Sequence, residues 1–244
     1  MTKISPVGVI TGTGVTEQFD LSRPLIIRTR FGKATVFTHA GGEYIVIPRH
    51  GAAHMSPPHG INYRANIAAF EHLGVKEVIA TSAVGSMNHG FRVGELGLIE
   101  QFIDFTKRRQ TTFFEEKVVH TDMTNPYSRH INLEISVAAK RIGVNLHQNL
   151  VYVCAEGPRF ETAAEIKMYK IIGGDVVGMT GVPEVVLANE KKLEYASIVI
   201  ATNWAAGMQP KVSHEEVLRV MKRSGKEVKR LIESTIAGMR GKKE

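Results

Sequence analysis

Apolar stretches that read as buried strands alternate along this chain with stretches of helical period, and no other feature constrains the fold as tightly. Strands are expected at 7–10, 77–81, 97–105, 150–155, 175–178 and 196–202, and helices at 62–73, 130–142, 162–172 and 182–193. Gly74 and the pair Gly173-Gly174 stand where two of these helices would end. Three further runs, 25–29, 35–39 and 44–48, are separated by Gly32 and by Gly41-Gly42 and read as a meander of strands. A repeating strand–helix order buries each strand under the helix that follows it. The expected fold is therefore α/β: a single domain over 1–244, with a twisted mixed, mainly parallel central sheet flanked by helices. A closing amphipathic helix is expected at about 213–240.

Composition removes several function classes. A chain of 244 residues can bury roughly 70–75% of its extended surface, so it needs no staples. No run reaches the length of a membrane span, and the N-terminus lacks a basic-then-apolar leader pattern; a cytoplasmic location with no membrane partner is expected. The lone cysteine, Cys154, forbids an intrachain disulfide and any multi-cysteine metal site, and within YVCA it reads as core. The net charge of +7 is concentrated: nine Lys or Arg against three acids between Arg219 and Glu244 supply six of the seven. There Val217, Met221, Val228, Ile232 and Ile236 recur at helical spacing, so the charge is the solvated face of a helix. With no RNA-binding aromatic motif or zinc-finger spacing beside it, no nucleic-acid partner is expected.

Chemistry gathers at the ends of the expected strands. The first strand runs into Thr11-Gly12-Thr13-Gly14, whose backbone amides suit an anion. The dinucleotide fingerprint is absent, because Glu17 occupies its third glycine position. Arg49 and His50 leave the end of another strand, and TSAVGS at 81–86 offers the Ser82 hydroxyl among small residues. Ligands of open α/β sheets sit beyond the carboxyl ends of strands, where Thr13, Arg49, His50 and Ser82 would converge. His50, His54 and His59 raise the question of a metal. Pro57 and Pro58 break any helix there and the glutamate of a zinc protease motif is missing, so no metal is expected.

The stretch 154–180, CAEGPRFETAAEIKMYKIIGGDVVGMT, carries groups with no evident packing duty. Phe160 and Glu161 put an aromatic face next to a carboxylate, which suits a flat heterocycle offering an N–H. Asn203, at the end of the strand before it, adds an amide that both donates and accepts. A plainer account also fits these residues: Gly157-Pro158 as an ordinary turn, Glu161 as a first-turn acid and Asn203 as a strand-end cap.

EGPRFET, GMTGVPE at 178–184 and ATN at 201–203, with GTG at 12–14, RHG at 49–51, NYRAN at 62–66 and TSAVGS at 81–86, occur in one order over nearly the whole chain. In this the chain resembles the trimeric purine nucleoside phosphorylases and their methylthioadenosine phosphorylase relatives, with its site residues closest to the 6-oxopurine branch. The resemblance implies phosphorolysis of a purine nucleoside as part of purine salvage, with inorganic phosphate as co-substrate, no cofactor, and a trimer or a dimer of trimers. It implies phosphate binding by Thr13, Arg49, His50, Ser82 and Thr180, helped by the backbone at Ala83. Met179 would line the ribose and Phe160 would pack on the base. Glu161 would accept N1–H, and the Asn203 amide would bond N7 and O6 as charge builds on the leaving ring. Asn203, Glu161 and His50 form the catalytic set so implied. His214, in VSHEEVL at 212–218, would approach the 5′-hydroxyl, and His120 would reach a neighbouring subunit's site.

Such a reaction needs a nucleophile held under the sugar, an oxocarbenium-like ribosyl group, and donors for the departing base. It needs no activated Ser or Cys. The pair Glu161 and Asn203 matches hypoxanthine and guanine recognition, whereas RHG followed by NYRAN looks more like the methylthioadenosine branch and leaves a 5′-methylthio substrate as the alternative. A nucleosidase, a uridine phosphorylase or a non-catalytic binding protein are the other readings. The loop at 106–127 has few apolar anchors and is expected to be mobile or pinned by a partner.

Overall fold

The structure, a computed structural model, describes residues 6–39, 41–51 and 56–241. Its strands are β1 (Val7–Thr11), β2 (Leu25–Thr29), β3 (Gly32–Thr38), β4 (Tyr44–Pro48), β5 (Glu77–Ser86), β6 (Leu96–Asp104), β7 (Leu146–Cys154), β8 (Val176–Gly178) and β9 (Glu194–Trp204). Its α-helices are α1 (Tyr63–His72), α2 (Arg129–Ile142), α3 (Ala163–Ile171), α4 (Glu184–Glu190) and α5 (His214–Gly241).

Among the described residues the strands form one sheet, in the order β2-β3-β4-β1-β5-β8-β7-β6-β9, with β5 also paired to β9. Five strands thus close into a ring, and β1, β4, β3 and β2 extend from it. The length of β5 makes this possible. One edge of β5 follows β9, while the other pairs with β1 at Val78–Ala80 and with β8 at Gly85 and Ser86. The expected strand at 77–81 is therefore only half of the real one; TSAVGS is strand rather than loop. The sheet is mixed and mainly parallel, as expected, with five parallel pairings against four antiparallel. Closing the ring requires antiparallel joints at β5–β8 and β6–β9.

The central strands β1, β4, β5 and β9 are buried on both faces, which is why they read as continuous apolar runs. Along β9, Tyr195, Val199 and Ala201 join the cluster that includes Tyr63, Ile67 and Phe70 of α1 and Val185 and Leu187 of α4. Ala196, Ile198 and Ile200 join the opposite cluster, under Ile131 and Ile135 of α2 and Val217, Met221 and Val228 of α5. Capping starts the helices where the sequence places them. Asn62 accepts from Ala65 N, Ser128 from Ile131 N, and Thr162 and Glu165 make a reciprocal box on α3. α4 is shorter than the 182–193 expected, beginning only after Pro183 and ending at Glu190. No described helix is long and apolar enough to cross a membrane.

The loop after β6 is anchored on its own chain. Phe113 and Tyr127 are buried. Glu190 accepts from Thr112 Oγ1 at 2.6 Å and from Phe113 N at 2.7 Å, and Asn189 donates to Pro126 O at 2.9 Å. The buried Arg109 side chain donates to the carbonyls of Glu156 and Val182. Polar ties of this kind leave no hydrophobic periodicity to read.

Candidate active site

A cavity of about 400 Å³ lies where several strands end. Thr13 follows β1, Arg49 and His50 follow β4, Ser82 and Ala83 belong to β5, and Thr180 follows β8. Phe160 and Glu161 enter it from the turn between β7 and α3, Met179 from the turn after β8, Asn203 from β9 and His214 from the first turn of α5. Among the residues given a part in the reaction, His120 alone lies elsewhere, exposed in the loop after β6, and His59 lines a second cavity instead. His54 falls outside the described residues.

Arg49 is 2% exposed and already spoken for. Its Nε and Nη2 donate to the two oxygens of Glu184 at 2.7 Å each, and Nη1 donates to Thr81 O at 2.7 Å. Glu184 is fully buried and also accepts from Tyr195 Oη at 2.7 Å. Burial alone would lower the Arg49 pKa; the Glu184 charge and hydrogen bonds outweigh it, so the guanidinium stays protonated. The cation read from the sequence is thus neutralised by a partner. The amide of Gly12 is likewise committed, to Thr81 Oγ1 at 2.9 Å, so it is not one of the anion-binding amides expected of that turn. Ser82 Oγ, in contrast, is buried without a hydrogen-bond partner, an arrangement that calls for a ligand oxygen. His50 Nδ1 lies 2.8 Å from Ser56 O. A carbonyl only accepts, so Nδ1 carries a proton and donates it there.

The turn carrying Met179 and Thr180 is set from below by Tyr152. Its Oη accepts from Thr180 N at 3.1 Å and from Gly181 N at 3.2 Å. Gly178 is required here, since a Cβ would stand 2.5 Å from that oxygen. Tyr152→Phe strips two buried amides of their acceptor, at about 1–3 kcal/mol per orphaned group. It is expected to lower the urea midpoint without changing the slope. An unaltered midpoint would show that Tyr152 does not organise the turn.

Asn203 reaches the cavity because of an irregularity. Ala201 pairs with Val84 and Asn203 with Gly85, leaving Thr202 as an extra residue on β9. Such a bulge re-aims side chains, and here both Thr202 and Asn203 line the cavity although strict alternation would send them to opposite faces. The amide of Asn203 is fixed by its neighbours. Trp204 O can only accept, so Nδ2 donates to it at 2.8 Å, and Thr202 Oγ1 donates to Oδ1 at 2.9 Å. One N–H and one lone pair of the amide remain uncommitted.

The turn bearing Phe160 and Glu161 is braced from α3. Arg159 grips Glu165 through two nitrogens at 2.8 and 2.7 Å, and Thr162 N donates to the same carboxylate at 2.7 Å. The Arg159 hydrogen bonds and the Thr162 amide hold the Glu165 carboxyl down at about 2. At Gly157, φ is +67° and a Cβ would fall 2.6 Å from Met179 Sδ, so only glycine lets this turn close over Met179. Glu161 has an unpartnered buried oxygen, Oε1, and burial raises its pKa. Phe160 is 39% exposed, an aromatic face at the cavity wall.

Ser213 caps α5 by accepting from Glu216 N at 3.2 Å, and the exposed His214 lies at the cavity edge beside Val217. Cys154 is fully buried and its thiol is pushed up to about 11 by burial, so it stays protonated at neutral pH. Glu184 and Tyr195, which clamp Arg49, escaped sequence reasoning. GMTGVPE contains Glu184, but an acid at the start of a helix reads as a dipole partner until its burial is known.

Comparison with known proteins adds an independent line. The model of the Phosphorylase superfamily matches residues 6–237. The chain is 46% identical over 241 residues to a probable 6-oxopurine nucleoside phosphorylase of Moorella thermoacetica, covering 96% of this chain and 93% of that protein. It is 42% identical over 241 residues to a probable S-methyl-5′-thioinosine phosphorylase of Methanothermobacter thermautotrophicus, covering 96% and 84%. Among solved structures it is similar to methylthioadenosine phosphorylase of Schistosoma mansoni in complex with adenine, with a TM-score of 0.91, 31% identity and coverage of 97% and 92%.

Proposed function

The chain belongs to the phosphorylase superfamily, and from that premise we propose that it cleaves 6-oxopurine nucleosides, inosine and guanosine, with inorganic phosphate, yielding free base and ribose 1-phosphate. It is a pentosyltransferase of the purine nucleoside phosphorylase class, acting on a purine nucleoside and phosphate. The finer assignment rests on one observation: the same cavity presents an unpartnered carboxylate oxygen at Glu161 and, at Asn203, an amide with one donor and one acceptor to spare.

In this mechanism phosphate is held by Thr13, Arg49, His50, Ser82, Thr180 and the backbone at Ala83, beneath a ribose lined by Met179. Its negative charge stabilises the oxocarbenium-like ribosyl group as the glycosidic bond lengthens. Phe160 packs on the base. Glu161 accepts the N1–H of a 6-oxopurine, and Asn203 meets N7 and O6 as electron density collects there. Adenine has no hydrogen on N1, so Glu161 would face a lone pair; such mismatches reject a substrate by up to roughly 10⁴–10⁵. No resident cofactor is called for. The measurement that decides is base release from inosine, guanosine, adenosine and the two 5′-methylthio nucleosides, each with and without phosphate. Cleavage of adenosine in preference to inosine, or cleavage in water alone, would overturn the assignment.

Val217, one turn from His214, favours keeping 5′-methylthioinosine as a second reading, since it sets an apolar wall beside the imidazole. His214→Leu is expected to lower kcat/KM for inosine by about 2–10-fold, the worth of one modest hydrogen bond, and to spare methylthioinosine. Equal losses on both substrates would take His214 out of the 5′ pocket.

The working assembly in this proposal is a trimer or a dimer of trimers, with His120 directed to a neighbouring site. Exposed Met168, Ile171 and Ile172 on and after α3, near a second cavity that shares Glu161, support an interface there. Light scattering that returns a monomer would exclude it.

A further inference from the structure

We propose that Glu184 is a positioning residue for phosphate: supported by Tyr195, it clamps Arg49 side-on, cancels its charge and holds its remaining N–H groups towards the cavity. The inference rests on the reading that phosphate binds at Arg49. A guanidinium has five N–H groups. Glu184 takes two and Thr81 O takes one. The two that remain are divided between Nη1 and Nη2, and Arg49 lines the cavity. Both side chains of the pair are buried, with 0% exposure for each, so the two free N–H groups lie within the cavity wall, Nη1 behind Gly12, and a ligand oxygen must press against that wall to meet them. Tyr195 Oη occupies Glu184 Oε1 from the other side, which stops the carboxylate from rotating out of the fork. Anion capture then depends on the direction of two hydrogen bonds more than on net charge. A loose cation in the same place would attract any anion, whereas a clamped one favours a tetrahedral oxyanion in one orientation.

The test begins with phosphate-dependent cleavage of inosine by the unaltered protein; its absence would end the reading of the site, not this inference alone. Glu184→Gln keeps one acceptor but turns an NH₂ group against the guanidinium. It is expected to raise the phosphate KM about tenfold or more, while the inosine KM at saturating phosphate moves less than about threefold. Tyr195→Phe keeps both charges and removes only the outer hydrogen bond; its phosphate KM should rise about threefold. A purely structural pair would lower melting temperature and leave the phosphate KM where it was. The double variant Glu184→Gln/Arg49→Met should recover melting temperature without recovering phosphate use. An unchanged or lowered phosphate KM in the folded single variants overturns the proposal, as does recovery of phosphate use in the double variant. If Glu184→Gln does not fold, Tyr195→Phe decides by the same criterion.

Discussion

Asn203→Asp is expected to lower kcat/KM for inosine by about 10²–10³, the usual effect of losing one preorganised donor at a site of developing charge. The variant keeps the partner of Thr202 Oγ1, because either side chain offers an oxygen there. It loses the N–H that now goes to Trp204 O and the second N–H that would meet the base. An ionised aspartate would set one oxygen against the Trp204 carbonyl, so its proton is held more firmly than in water. A carboxyl that retains a proton can serve a 6-aminopurine. The inosine-to-adenosine ratio should therefore narrow more than either rate alone suggests. Steady-state kinetics on both nucleosides at saturating phosphate reads the ratio, and an unaltered ratio would remove Asn203 from the base contact.

Glu161→Gln carries a double signature. Loss of a hydrogen bond to a charged group is worth about 1.5–3 kcal/mol, which predicts a fall of about 10–150-fold in kcat/KM for inosine. Stability should move the other way. Burial raises the Glu161 carboxyl above its ordinary value of 4.5 in the folded protein, so the protonated form is the one that folding favours. The stabilising contribution is complete below that ordinary value and disappears as pH rises through the folded value. At neutral pH the ionised carboxylate therefore opposes folding. Glutamine relieves this, and Glu161→Gln should melt higher than the unaltered protein at pH 7–8, with the difference fading below about pH 4. The same shift places the acidic limb of kcat/KM for inosine above pH 4.5. A lower melting temperature for Glu161→Gln at neutral pH would contradict the buried-carboxylate account.

Much of the fold was legible because its central strands are buried on both faces and its helices carry a clear period. The helices expected at 62–73, 130–142 and 162–172 begin in space within two residues of those starts, behind the caps Asn62, Ser128 and Thr162. Ring closure was not legible. It depends on β5 sharing one edge between β1 and β8, and pairing partners leave no trace in local periodicity. The long loop misled for a related reason, since Arg109, Thr112 and Asn189 fasten it through backbone carbonyls and one carboxylate. At the site, residue types pointed to a common cavity because polar groups at strand ends have few other duties. Charge state was hidden. Arg49 reads as a free cation until Glu184, 135 positions later, is seen beside it.

The extra residue at position 202 ties together two features that look separable. Trp204 N donates to Gln209 Oε1, and Gln209 in turn donates to Lys211 O and to Glu216 near the start of α5. Everything from that offset to His214 inherits its phase from a single amino acid. Shortening the chain there by one would swing the amide away and drag the imidazole with it. If the proposed contacts of Asn203 and His214 hold, the two ends of a nucleoside are gauged by one continuous calliper of backbone, and descendants of this chain would find it hard to change what they tolerate at one jaw without disturbing the other.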